Sequence, residues 1–214
     1  MTGGKGDDTY VVNSSGDIVN ETVLNSSGGG IDTVLSSVTF TLATRTNIEH
    51  LTLTGGSAIN GTGNALDNHI TGNDNNNTLD GGTGNDLLVG AAGNDTLLGG
   101  TGNDVLDGGD GIDKLTGGAG LDIFNFDLLS ELGDTITDFS KVAGDKLDIH
   151  DLLTSVGYLG TDAFTDQYVT FSQNGTTTNI LFDADGAGLI SSAVTLTSLL
   201  NANLTSTDSG NFIV

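Results

Sequence analysis

The sequence predicts an all-β fold, a two-sheet parallel β-roll (a β-solenoid), and three observations predict it. First, a nine-residue unit runs five times from Gly81 to Asn125, as GGTGNDLLV, GAAGNDTLL, GGTGNDVLD, GGDGIDKLT and GGAGLDIFN. Self-similarity at a short fixed period means stacked coils, because one unit cannot bury its apolar face alone. Second, the eighth place is always apolar (Leu88, Leu97, Leu106, Leu115, Phe124), as a residue pointing between two sheets must be. Third, the chain has 34 glycines and no proline among 214 residues, with glycine recurring at the first, second and fourth places of the unit. Glycine spaced this regularly belongs to tight turns. A disordered glycine-rich linker, the bland alternative, would not hold the eighth place apolar.

Each unit divides into a six-residue turn and a three-residue strand, and two units close one turn of the roll, so residues eighteen apart stack. The sixth place carries Asp86, Asp95, Asp104, Asp113 and Asp122. Stacking faces Asp86 with Asp104, Asp95 with Asp113, and Asp104 with Asp122. Carboxylates brought this close repel until a cation lies between them. Glycine turns present backbone carbonyls as further oxygen donors, and an all-oxygen, adaptable set suits Ca2+ better than Mg2+. With no cysteine and only His50, His69 and His150, a soft-metal centre is not expected. The expected donors to several Ca2+ ions are Gly81, Gly82, Gly84 and Asp86; Gly90, Gly93 and Asp95; Gly99, Gly100, Gly102 and Asp104; Gly108, Gly109, Gly111 and Asp113; and Gly117, Gly118, Gly120 and Asp122. Asp74, Asp80, Asp107 and Asp110 fall outside the sixth place and read as solvent-facing acids.

Taken in order, residues 1–62 form a β-rich segment with degenerate repeats. Residues 3–11, GGKGDDTYV, place Asp8 sixth and Tyr10 eighth, and residues 27–35, SGGGIDTVL, place Asp32 and Val34 there. Asp8 and Asp32 are therefore candidate ligands, although their neighbouring units are missing or irregular. Strands are expected at Tyr10–Val12, Ile18–Val19, Thr33–Leu35, Val38–Leu42 and Leu51–Leu53, where Val and Thr alternate with polar residues. Residues 63–125 are the roll itself. Its first two units, GNALDNHIT and GNDNNNTLD, put Asn68 and Asn77 where aspartate stands later. Asparagine offers an oxygen without charge, so Asn77 is a weaker candidate ligand and a metal-free asparagine ladder is the alternative.

The period fails after Asn125, and residues 126–214 read as a C-terminal cap, which a repeat stack needs to cover its open end. Asp127–Glu131 reads as a short helix or loop, Asp134–Phe139 as strand and turn, and LDIHDLL at Leu147–Leu153 as a compact apolar and acidic run. Strands are expected at Gln167–Ser172, Thr178–Phe182 and Ala193–Leu200, the last with a helix as its alternative.

The formal net charge is −23, from 28 acidic against 5 basic residues. Nucleic acid is excluded as a partner, because no basic surface can meet its phosphates. The opening MTGGKGDDTY lacks the basic and apolar regions of a signal peptide, and no apolar run reaches the roughly 20 residues of a transmembrane helix. The absence of cysteine fits an extracellular protein held by metal rather than by disulfides. The chain starts inside what reads as another repeat, which predicts a piece of a larger parent chain with Met1 added.

The repeat residues resemble those of the repeats-in-toxin (RTX) family of secreted bacterial proteins, with GGxGxD followed by an apolar place over residues 81–125. The stretches GDDTYVVNSSGDIVNETV, GGGIDTVLSSVTFTL, NIEHLTLTG and INGTGNALDN resemble the looser β-rich segments before such arrays. LDIFNF and DTITDFSKVAGDKLDIHDLL resemble the secretion-target domain that ends large RTX adhesins and some secreted hydrolases. The resemblance implies export by a type I, ATP-driven channel, with an uncleaved signal at the extreme C-terminus, here STDSGNFIV from Ser206 to Val214. It implies a chain that travels unfolded through low cytosolic calcium and folds outside the cell. It also places calcium or structural roles on Asp134, Asp138 and Asp148.

Catalysis is not expected. No G-x-S-x-G and no H-E-x-x-H occurs, and Ser155 near His150 has no supporting arrangement. The rival function is adhesion, with a cell-surface or glycan ligand, although the eight Phe and three Tyr read as dispersed. A third reading makes the chain the non-catalytic end of a secreted lipase or protease.

Overall fold

The short strands of this chain cannot stand alone; each finds its partners one coil away. The computed structural model describes residues 1–24, 27–160, 162–184 and 193–214. The chain climbs as a two-sheet β-solenoid. The first sheet stacks β1 (Thr9–Val12), β2 (Thr33–Ser36), β4 (His50–Leu53), β6 (His69–Thr71), β8 (Leu87–Val89), β10 (Val105–Asp107), β12 (Ile123–Asn125), β14 (Lys146–Asp148) and β18 (Phe212–Ile213), in that spatial order. The second stacks β3 (Phe40–Thr41), β5 (Gly61–Thr62), β7 (Thr78–Thr83), β9 (Thr96–Thr101), β11 (Lys114–Ala119) and β13 (Asp134–Ile136), then β17 (Val194–Leu199), β16 (Thr177–Phe182) and β15 (Val169–Asn174). All pairs in the first sheet are parallel, as are those from β3 to β13 and from β13 to β17. Among the described residues only the β15–β16 and β16–β17 pairs of the cap are antiparallel.

Register carries the apolar places into columns. In the first sheet Tyr10, Val34, Leu51, Ile70, Leu88, Leu106, Phe124, Leu147 and Phe212 are successive partners. In the second, Leu79, Leu97, Leu115, Ile136 and Leu199 follow one another. The two columns face each other and form the core, with the eighth-place residues Leu88, Leu97, Leu106, Leu115 and Phe124 fully buried. Gly61 sits in the second column between Phe40 and Leu79, and a side chain there would meet Ile70 and Leu51 at 3.2 Å. Its neighbours fill the space it leaves.

Most strand expectations are met, with three differences. Ile18–Val19 is not a strand: Ile18 is 73% exposed, Val19 is buried, and the local pairing is an isolated bridge between Thr2 and Asn20. Val38–Leu42 shortens to Phe40–Thr41. In LDIHDLL the strand ends at Asp148 and a six-residue helix, α1 (His150–Ser155), turns Leu152 and Leu153 into the core. The ambiguous last run is the strand Val194–Leu199. The aromatic residues are less dispersed than they read. Phe164 stacks on Phe171 at 5.7 Å and meets Phe212 edge-on at 4.8 Å, while Tyr158 and Tyr168 pair at 4.8 Å. His50 and His69, neighbours across β4 and β6, meet edge-on at 5.4 Å.

One turn position departs from its repeat. In the five units from Gly81 the second place takes a positive φ, 101° at Gly82, 111° at Gly100 and 80° at Gly109, and Ala91 holds that place at 80°. A Cβ in the left-handed region costs roughly 1–2 kcal/mol, partly offset by the greater entropy a glycine loses on folding. Ala91→Gly is therefore expected to raise folding stability by about 1 kcal/mol, read as a later denaturant midpoint in saturating calcium.

Candidate metal centres

The turns place the sixth residue of each unit immediately before an inward-pointing strand, where the main chain of the next coil covers it. The expected pairs come together through one repeated contact. Asp86 N–H donates to Asp104 Oδ1 at 2.8 Å, Asp95 N–H to Asp113 Oδ1 at 2.6 Å, and Asp104 N–H to Asp122 Oδ1 at 3.0 Å. Two ladders result, one along each rim of the roll. Asp86, Asp104 and Asp122 belong to the first, Asp95 and Asp113 to the second.

Each aspartate thus commits Oδ1 to an amide one coil back, and its other oxygen is left over. Oδ2 of Asp86, Asp95, Asp104, Asp113 and Asp122 is buried and has no hydrogen-bond partner, and the same holds for Asp32 and Asp134. A buried polar atom without a partner costs about 1–3 kcal/mol, and more when charged. What these oxygens face is visible at the first glycine of the unit. A Cβ built on Gly99 would lie 2.5 Å from Asp104 Oδ2 and 2.5 Å from the Gly117 carbonyl oxygen. Gly99 has no positive φ, so glycine is required there by space. Equivalent clefts lie at Gly81, Gly90, Gly108 and Gly117, each beside the carboxylate of its own unit. A bare carboxylate oxygen beside a cleft, with a carbonyl joining it at Gly81, Gly90 and Gly99, is a donor set for a hard divalent cation, and these residues fit Ca2+.

Burial dominates the electrostatics. It pushes the carboxyls of Asp86, Asp113 and Asp122 up to about 6 and that of Asp95 up to about 7; amide donors oppose this and neighbouring carboxylates add to it. Asp104 moves the same way for the same leading reason. Asp134, the most desolvated, rises to about 8.

The ladders run past the repeats. Asp113 N–H donates to Asp134 Oδ1 at 2.8 Å and Asp122 N–H to Asp145 Oδ1 at 3.2 Å, across spacings of 21 and 23 residues. At the other end, Asp8 N–H donates to Asp32 Oδ1 at 2.8 Å and Asp32 N–H to Glu49 Oε2 at 2.9 Å. Asp145 and Glu49 escape period counting because the glycines and the nine-residue spacing are gone. A residual signal does survive in an acid, any residue, then a core apolar residue, as in Asp145-Lys146-Leu147 and Glu49-His50-Leu51. Asn68 and Asn77 keep the ladder's place, but their Oδ1 atoms already accept N–H groups from Asn64 and Asn73, at 2.7 and 2.8 Å. Asp138 accepts from the Gly117 and Gly118 amides at 3.0 and 2.8 Å, and Asp148 from His150 N–H at 3.1 Å. Asp74 and Asp110 are exposed, while Asp80 and Asp107 are half-buried. Ser155 bonds the Leu152 carbonyl within its own helix.

Residues 62–97 and 98–128 match the family model of the RTX calcium-binding nonapeptide repeat (4 copies). This stretch is an RTX calcium-binding repeat region. RTX repeat rolls are structural and binding modules rather than catalytic domains. Two solved structures are similar to the chain. The AlgE6R3 subunit of the Azotobacter vinelandii mannuronan C5-epimerase is 28% identical, with a TM-score of 0.34, over 74% of this chain and 80% of that one. The AlgE6R2 subunit of the same epimerase is 26% identical, with a TM-score of 0.37, over 73% of this chain and 92% of that one. No curated protein matches the chain. No helix among the described residues is long and apolar enough to cross a membrane.

Two outcomes follow for the RTX region. The raised carboxyl values mean that the metal-free fold takes up protons on folding. Its stability from these groups is fully present below about pH 4, the ordinary aspartate range, and is lost as pH rises through about 6 to 8. In chelator, the β-sheet circular dichroism signal is expected to be stronger at about pH 5 than at about pH 8, and the calcium midpoint should fall as pH rises between them. Separately, Gly99→Ala should fill one cleft and remove one bound ion per chain by equilibrium titration. Gly56→Ala, where an added Cβ meets nothing within 4 Å, should leave the count unchanged.

Proposed function

We propose that the chain is a calcium-triggered folding module that supports type I secretion of a larger bacterial protein, folding when it meets extracellular calcium. The observation that carries this reading is the row of buried, unpartnered aspartate oxygens along the RTX coils. In the absence of a cation these groups oppose the fold they belong to, through desolvation and mutual repulsion on a chain already at −23. Binding free energy then becomes folding free energy. Asp86, Asp95, Asp104, Asp113 and Asp122, with the glycines of their turns, are the ligands in this reading. Residues 126–214 serve as cap and export signal, and the partners are the secretion channel and the parent chain. Neighbouring sites share a coil, and Asp104 lies between Asp86 and Asp122, so occupancy of one site prepares the next.

A calcium titration of the chain, followed by circular dichroism with a magnesium control, tests the switch. A steep, calcium-selective rise in β signal is expected, with a midpoint near the ~0.1–1 mM of extracellular modules. Asp104→Asn should flatten the transition, because it removes a shared carboxylate while keeping the shape. Full β structure in chelator, unchanged by calcium, would overturn the switch.

A further inference from the structure

The irregular first coil gathers acids in a way the repeats do not. Asp8 and Asp32 precede β1 and β2 and form one step of the ladder. Glu21 belongs to no ladder place. It comes from the long connector between β1 and β2, a half-coil with no strand in the second sheet among the described residues. Two contacts bring it in. Tyr10 donates its hydroxyl to Glu21 Oε2 at 2.6 Å, and Val23 N–H donates to Glu21 Oε1 at 2.7 Å. One carboxylate oxygen each from Asp8, Glu21 and Asp32 then lies within 4.8 Å of the other two.

Acidic clusters are common, but a second observation sets this one apart. Asp32 is 0% exposed; its Oδ1 accepts the Asp8 amide, and its Oδ2 is buried without a partner. Gly3 adds a third. A Cβ at Gly3 would collide with the Tyr10 hydroxyl and with oxygens of Glu21 and Asp8, so glycine alone leaves open the space these oxygens surround. Among the described residues no lysine or arginine forms an ion pair with the three acids.

We propose that Asp8, Glu21 and Asp32 form a discrete calcium site, separate from the repeat array, that clasps the β1–β2 connector onto the first coil. All three donors are carboxylate oxygens and no histidine or cysteine joins the group, which selects a hard divalent cation. Three carboxylates carry more charge than the donor pairs of the array, and calcium affinity rises with ligand charge. The clasp has a structural purpose. Val19, two residues before Glu21, is buried in the same core as Tyr10 and Val12, so fixing Glu21 also holds an apolar lid over the N-terminal end of the stack. The proposal relies on the calcium reading of the array only for the identity of the ion.

Terbium, a luminescent stand-in for calcium, tests the site in the full chain. It emits strongly when an excited tyrosine lies beside it, and Tyr10 touches Glu21 while Tyr158 and Tyr168 lie in the cap. Tyrosine-sensitised emission is expected from the unaltered chain. It should be lost in Glu21→Gln, which also binds one calcium fewer by titration while keeping the calcium-induced β signal. It should also be lost in Tyr10→Phe, which keeps the carboxylates and the ion count. Emission and ion count unchanged in Glu21→Gln, or emission surviving in Tyr10→Phe, would overturn the clasp and leave the array reading intact. A chain that binds no calcium would overturn both.

Discussion

The structure depends on a carboxylate with two fates for its two oxygens. One oxygen of each ladder aspartate closes a hydrogen bond to the main chain of the preceding coil, which fixes the eighteen-residue register. The other is held dry and unpartnered at the mouth of a glycine cleft. The first fate favours stacking and the second opposes it. Raised carboxyl values and clefts that exclude a methyl group are consequences of that division.

Each coil brings only a little apolar material to the core. Each strand of the array, three residues long in the first sheet and six in the second, buries one large side chain, so a coil contributes two such residues, for example Leu97 and Leu106. Most of the remaining coil is turn, and its glycines lose the most freedom on folding. The apolar core of a coil is thus small beside the turn it orders, and the unpartnered carboxylate oxygens are the groups with most to gain from a new partner.

The array was legible in the sequence because its physics is periodic. The eighth-place leucines announced the columns and the sixth-place aspartates announced the ladders, since both demands recur at every coil. Legibility faded where a demand was met by other means. Asp145 and Glu49 occupy ladder places at irregular spacings, found only because intervening loops of different length return the chain to the same rim. Glu21 enters its cluster by tertiary packing alone, and no spacing rule leads to it. Ile18–Val19 read as a strand because both residues favour strands, yet only Val19 has a core to enter. The cap aromatics are far apart in sequence, at Phe164, Phe171 and Phe212, and meet only because β18 returns to β14 at the edge of the first sheet.

The ladder also has a direction. At every step the amide of the earlier coil finds its acceptor in the later one, never the reverse. Beside it, at the fifth place of the unit, a second ladder runs the other way: Asn85 N–H donates to Asp67 Oδ1, Asn103 N–H to Asn85 Oδ1 and Leu121 N–H to Asn103 Oδ1. At the cap end the last acceptors, Asp134 and Asp145, belong to strands anchored by β17 and β18 rather than by another repeat. Each inner coil is therefore bolted to both neighbours by side chains of opposite sense, and taking one coil out would strand amides and carbonyl-type oxygens on both sides of the gap.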